Sequence, residues 1–191
     1  MAYYPVMLNL NGKRCLVVGG GEVAFRKVFH LLEAGAFVTV ISPSFTEEIL
    51  TIAESEKKRL NLLKREYEGE DVKGFFLVFA CTDDIKTNKL IAKECEKYGV
   101  LVNIVDDSYV SSFIVPAVLK RGNLVISIST VGKSPLLSKK IKEKLENIFD
   151  ERYEKLLEDL YKVREEVKAS NLSDEDKIKI YEEIIKKSHL F

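Results

Sequence analysis

The chain has 191 residues, 46% of them hydrophobic, enough for one large domain or a domain with an appendage. Lys plus Arg and Asp plus Glu each number 30, so the net charge is zero and the basic excess of a general nucleic-acid binder is missing. No apolar stretch approaches the ~18 residues of a membrane span, and the first residues lack the basic-then-apolar order of a secretory signal, so neither a nucleic-acid nor a membrane partner is expected.

In chain order, the run over 14–18, apolar after Arg14, predicts a strand, and a glycine turn follows it directly. Gly19-x-Gly21-x-x-Ala24 fits a dinucleotide-binding fingerprint with Ala in its third place. Gly19 supplies the tight turn, Gly21 lets the backbone approach a pyrophosphate, and Ala24 is small enough for close helix–strand packing. A helix over 22–33 would aim its free N–H groups and positive dipole end at the phosphates, with Glu22 and Val23 in its first turn. The bland alternative is a strand-to-helix turn that binds nothing. Gly35 stands where a helix C′ residue belongs.

Further strands are predicted over 37–41, 60–64, 75–80 and 100–103, and further helices over 45–57 and 84–98, with Thr82-Asp83-Asp84 as the capping region of the latter. Short apolar strands alternating with helices predict an α/β, Rossmann-like, mostly parallel sheet covered on both faces. The second strand ends at Ser42-Pro43-Ser44, where an adenosine ribose would lie. No acid stands there to hold ribose hydroxyls, and no Arg or Lys lies between Ser42 and Glu48 to neutralise a 2′-phosphate, so Ser42, Pro43 and Ser44 are left to line the ribose and NAD is favoured over NADP. Thr82 and Asp83 follow the fourth strand at the carboxyl edge, where they either contact the cofactor or only cap a helix. Asp106 follows the fifth strand at the same edge, a place from which a carboxylate could accept a proton; its neighbour Asp107 reads as a solvent-facing turn residue.

Beyond Asp106 the pattern changes. Runs over 113–119 and 124–129 read as a hairpin joined by 120–123, with Pro116 forcing an edge or a bulge. Ser134-Pro135 opens a helix, Leu137, Ile141, Leu145 and Ile148 continue at helical spacing, and a seam from Phe149 through Tyr153 and Leu156 to Val167 follows. Ser173 with Asp176 opens the last helix. The division expected is a nucleotide-binding domain over 1–110, a hairpin region over 111–133 and a helical domain over 134–191. Cys15, Cys81 and Cys95 form no CxxC pair and read as reduced, mostly buried thiols, which suits the cytoplasm. His30 and His189 show no metal-ligand spacing, so no resident metal is expected.

Taken together, Val17–Ala24 with Arg26-Lys27, Ala80–Asp84, Asn103–Asp106, Ser112–Ala117 and Ser129–Pro135 resemble the precorrin-2 dehydrogenase / sirohydrochlorin ferrochelatase family, the N-terminal module of siroheme synthases. The resemblance runs from about Leu8 to at least Leu145 and implies the stand-alone form, without a methyltransferase module. It implies NAD-dependent oxidation of precorrin-2 to sirohydrochlorin, and in some members insertion of Fe²⁺ to give siroheme. It also implies a homodimer built on the hairpin and helices, and an anionic tetrapyrrole substrate. The family's important aspartate falls on Asp106, where Fe²⁺ could sit in passing, and Ser129, Thr130 and Lys133 are candidates for the substrate carboxylates. Thr130 stands where some relatives carry serine. Two alternatives stay open: a dehydrogenase whose metal is inserted by another protein, and a non-enzymatic NAD(H) sensor.

Overall fold

A strand apolar at four successive positions needs cover on both faces, and the first strand receives it over 15–18. The computed structural model describes residues 3–105, 107 and 109–191. Along β1 (Arg14–Val18), Cys15 and Val17 enter one apolar cluster while Leu16 and Val18 enter the other. This is the two-residue alternation of a strand sandwiched between helices. The first cluster takes Ala24, Val28, Leu31 and Leu32 from α1 (Glu22–Glu33) and Ile49 from α2 (Glu47–Ser55). The second takes Ile91 and Cys95 from α3 (Ile85–Tyr98).

Around β1 lie β2 (Phe37–Ser42), β3 (Leu60–Lys64), β4 (Leu77–Ala80) and β5 (Leu101–Ile104), in the order β3-β2-β1-β4-β5 with every pairing parallel. Chain direction along this order reverses between β1 and β4, and sheets of this kind open a crevice at the carboxyl ends of such strands. The register fixes what borders it: Val18 pairs with both Ile41 and Ala80, and Ser42 with Lys64.

Several element ends differ from the sequence expectation. α2 spans Glu47–Ser55, not 45–57, because Thr46 is extended (φ −69°, ψ 160°) and brings the chain in as its N-cap. β4 begins at Leu77, since Phe75 and Phe76 turn their rings under the Arg14 and Lys13 cations (4.8 and 5.5 Å).

The chain divides into two compact units, one up to Ile114 and one over Val115–Phe191. In the second, β6 (Ala117–Arg121) and β7 (Leu124–Ile128) pair antiparallel. The hairpin strand was expected from 113. Residues Ser112 and Phe113 are instead tied to β5, through Ser112 N–H donating to the Val102 carbonyl (2.8 Å) and Asn103 Nδ2 donating to that of Phe113 (3.0 Å). Pro116 therefore precedes β6 and interrupts no ladder. The connection is two residues, Gly122 and Asn123, because Arg121 and Leu124 still pair. Three helices follow, α4 (Pro135–Glu146), α5 (Arg152–Lys168) and α6 (Asp174–Lys187). Ser134 caps α4 and Ser173 caps α6, each accepting a first-turn amide. The seam expected from Phe149 is broken before α5, where Asp150 accepts the Arg152 amide (3.0 Å); of its residues only Leu156 and Val167 are buried.

Candidate functional site

The crevice beside β1 widens into a cavity of about 740 Å³, within the range of small-ligand and cofactor sites. Three successive glycines shape its floor, each for a different reason. Gly19 sits at φ +119°, and a Cβ there would lie 2.5 Å from the Cys81 carbonyl oxygen, so it holds the turn against β4. At Gly20 a Cβ would lie 1.9 Å from the Ser44 carbonyl oxygen. Gly20 also accepts a hydrogen bond from the Thr46 amide (3.0 Å), which clamps the loop after β2 onto the glycine turn. A Cβ on Gly21 would meet nothing within 4 Å. That open space is what close approach of a ligand to the backbone requires.

Gly21 is the N-cap of α1, and no side chain caps this helix. The first-turn N–H groups have no partner within an α-helix, and here Gly21, Glu22 and Val23 line the cavity. The helix end thus offers unsatisfied donors and the positive end of its dipole to an anion. α2 is also uncapped by a side chain, and Thr46 Oγ1 is buried with no hydrogen-bond partner among the described residues. The uncapped end of α1, with open space at Gly21, suits the pyrophosphate of a dinucleotide.

Every residue expected to bind cofactor lines this one cavity: Gly19, Gly21, Glu22, Val23, Pro43, Ser44, Thr82 and Asp83. Buried Ser42 joins them. Thr82 has a second task. Its hydroxyl donates to Asn88 Oδ1 (2.8 Å) while Asn88 Nδ2 donates to the Thr82 carbonyl (2.9 Å), which locks the start of α3. Asp84 is the cap of that helix, accepting from the Lys86 and Thr87 amides (3.1 and 3.0 Å) and the Thr87 hydroxyl (2.6 Å). The Thr87 hydroxyl, then these amides, hold its carboxyl below the usual range.

Sequence reasoning passed over Gly20, Thr46, Glu66, Tyr67 and Cys81, which also border the cavity. The run of three glycines hinted at the first. Nothing local marked Glu66 and Tyr67, which arrive through the register of β3 beside β2. The Tyr67 hydroxyl donates to Glu94 (2.5 Å), and burial first, then this carboxylate, pushes its ionisation well up. All three cysteines are unpaired, with Cys15 and Cys95 buried and Cys81 half-buried. Burial pushes the Cys81 thiol up to about 12, so it stays protonated near neutrality and is no nucleophile. Lys27 leans over the Phe79 ring (5.1 Å from its centre), and burial lowers its ionisation against the pull of Cys81.

Asp106 lies outside the described residues. Among the described residues of this stretch, Ser111 Oγ accepts the Ile104 amide (2.9 Å) and donates to the Asp107 carbonyl (2.7 Å), and Ser112 Oγ accepts the Val102 amide (2.7 Å). Asp107 is half-buried and accepts the Tyr109 amide (3.0 Å).

Ser129, Thr130 and Lys133 lie in the second unit, on the loop from β7 to α4. Thr130 Oγ1 donates to the Ser134 carbonyl (2.9 Å) and accepts the Ser134 amide (3.0 Å), so its hydroxyl closes the loop. Ser129 Oγ accepts the Val131 amide (3.0 Å), and Val131 is held at φ +54°, an uncommon conformation for a β-branched residue. Ser129 and Lys133 are exposed. Among the described residues no group of three or more His, Cys, Asp or Glu side chains is placed to hold a metal, and no helix is long and apolar enough to cross a membrane.

Residues 6–117 match the family described as "Putative NAD(P)-binding", and residues 121–148 match "Sirohaem biosynthesis protein central". The chain is 37% identical over 169 residues to a siroheme synthase of Chromobacterium violaceum, an alignment covering 88% of this chain and 36% of that one. It is 36% identical over 185 residues to siroheme synthase 2 of Yersinia enterocolitica, covering 97% and 39%. It thus spans a little over a third of the length of these relatives. Among solved structures, one titled "SirC, precorrin-2 dehydrogenase" superposes with a TM-score of 0.82 at 36% identity, covering 96% of this chain and 89% of that one.

Proposed function

The chain belongs to the precorrin-2 dehydrogenase family of siroheme biosynthesis, and from that premise we propose that it oxidises precorrin-2 to sirohydrochlorin with NAD⁺. The observation that carries this reading is the uncapped α1 end over the open space at Gly21, a cradle for a pyrophosphate. The first-turn amides of α1 would hold the phosphates, and Ser42, Ser44 and Thr46 the adenosine side. NAD⁺, when bound, supplies the hydride acceptor. Loss of a hydride from precorrin-2 must be matched by loss of one proton, and Asp106 is the proposed base that takes it. Ser129 and Lys133 are the proposed contacts for the substrate's carboxylates, whose charge suits an exposed lysine. With Thr130 committed to its loop, that residue serves by shaping the backbone between them.

The same family reading carries a second activity, insertion of Fe²⁺ into sirohydrochlorin with loss of two pyrrole protons, with Asp106 as transient contact for the incoming metal. A homodimer over the hairpin and helices is supported by apolar side chains that the second unit leaves at its surface, among them Leu136 (68% exposed), Leu137, Ile148 and Tyr161. Three unpaired thiols fit a reducing compartment, the cytoplasm.

Asp106→Ala is expected to keep NAD⁺ affinity and to lose roughly 10²–10⁴-fold in precorrin-2 oxidation, the usual worth of a positioned base. Anaerobic single-turnover absorbance measures it, and undiminished turnover removes Asp106 from the mechanism. Adding Fe²⁺ to the sirohydrochlorin formed, against a no-enzyme control, tests chelation in the same cuvette.

A further inference from the structure

We propose that Glu66 is the residue that reads the adenosine ribose and excludes a 2′-phosphate, making this chain specific for NAD⁺ over NADP⁺ from a position after β3 rather than after β2. The inference rests on the dinucleotide reading above and deepens it. Many dinucleotide folds place an acid after β2 to accept hydrogen bonds from the ribose hydroxyls. Here that loop is Ser42-Pro43-Ser44, with no acid. β3 is the neighbour of β2, and Lys64 pairs with Ser42, so the residues just after Lys64 emerge beside that loop. Glu66 and Tyr67 line the cavity with Ser42 and Ser44.

The segment around Glu66 is fixed on both sides. Arg65 makes a two-pronged ion pair with Asp71 (2.7 and 2.7 Å) and donates to the Glu66 carbonyl (2.9 Å). Tyr67 is anchored to Glu94. Glu66 is exposed, and its carboxylate has no hydrogen bond or ion pair among the described residues. Arg65, the adjacent cation, has its guanidinium engaged by Asp71 and is not offered to a phosphate.

Charge points the same way. Among the described residues lining the cavity, Glu22, Glu66, Asp83 and Asp84 are acidic and none is basic. The pyrophosphate can be met by helix amides, but an additional phosphate of nearly two charges would face carboxylates and no cation among the residues lining the cavity. A free carboxylate accepts from a 2′-hydroxyl and repels a 2′-phosphate, so one group supplies both the attraction and the exclusion.

The test is calorimetric titration of the whole protein, as wild type, Glu66→Gln and Glu66→Arg, with NAD⁺ and with NADP⁺. A charge-assisted hydrogen bond is worth about 1.5–3 kcal/mol, or roughly 10- to 150-fold. Wild type is expected to prefer NAD⁺ by at least about tenfold, Glu66→Gln to weaken NAD⁺ by about tenfold, and Glu66→Arg to reverse or erase the preference through improved NADP⁺ binding. An NAD⁺-to-NADP⁺ ratio unchanged in both variants, with NAD⁺ still bound, overturns the role of Glu66 and leaves the cofactor reading intact. Failure of the wild type to bind either dinucleotide overturns both.

Discussion

Gly21→Val is expected to fold normally and to lose NAD⁺ binding by more than about 100-fold, because it removes several charge-assisted contacts of ~1.5–3 kcal/mol each. The two halves of this expectation come from one observation. The Cβ of a side chain at Gly21 meets no protein atom within 4 Å, and the backbone there (φ −85°) is open to any residue. The stability cost is therefore that of an altered N-cap, within about 1 kcal/mol. The space the side chain fills is the space a pyrophosphate needs to reach the first-turn amides. Calorimetric titration with NAD⁺ alongside urea denaturation separates the effects. Wild-type affinity in a folded variant would place the phosphates elsewhere.

One residue earlier the outcome inverts. Gly20→Val is expected to destabilise the first unit by about 3 kcal/mol or more, at the upper end for overpacked sites. Its Cβ would lie 1.9 Å from the Ser44 carbonyl oxygen and 2.8 Å from Ser42 Oγ. Neither side can retreat cheaply. Gly20 accepts the Thr46 amide, and the Gly19 amide donates to the Ile41 carbonyl (2.9 Å), so turn and loop are bound to each other. Shifting them would also pull Ser42 and Ser44 away from the cavity, so dinucleotide affinity falls with stability. A urea midpoint equal to that of the wild type would contradict this packing. Adjacent glycines thus divide the work: Gly20 holds the protein together, and Gly21 leaves room for what it binds.

The parallel sheet was legible because its signals are local. Leu16-Val17-Val18 is apolar without interruption, the glycine turn is contiguous, and α1 repeats its apolar residues at helical spacing. Boundaries set by distant partners were less legible. The start of β6 depends on Ser112 and Phe113 being held by β5, ten residues back in sequence, which no periodicity reports. The site divides in the same way. The proposed phosphate end follows from one motif, and the proposed ribose contacts Pro43 and Ser44 follow from the end of the next strand. Glu66 was invisible because its neighbourhood with Ser42 exists only through the β2–β3 register. Thr130 read as a candidate contact for the substrate carboxylates, yet its hydroxyl serves its own loop, since a threonine next to a positive-φ turn has backbone groups within reach.

The proposed reaction removes two electrons from precorrin-2 with NAD⁺. Anaerobic mixing of purified protein, precorrin-2 and NAD⁺, followed by absorbance, tests it most directly. NADH and sirohydrochlorin are expected to appear one for one, with neither formed when NAD⁺ or protein is omitted. Tight NAD⁺ binding with no sirohydrochlorin formed would contradict it and leave the redox-sensing alternative in its place.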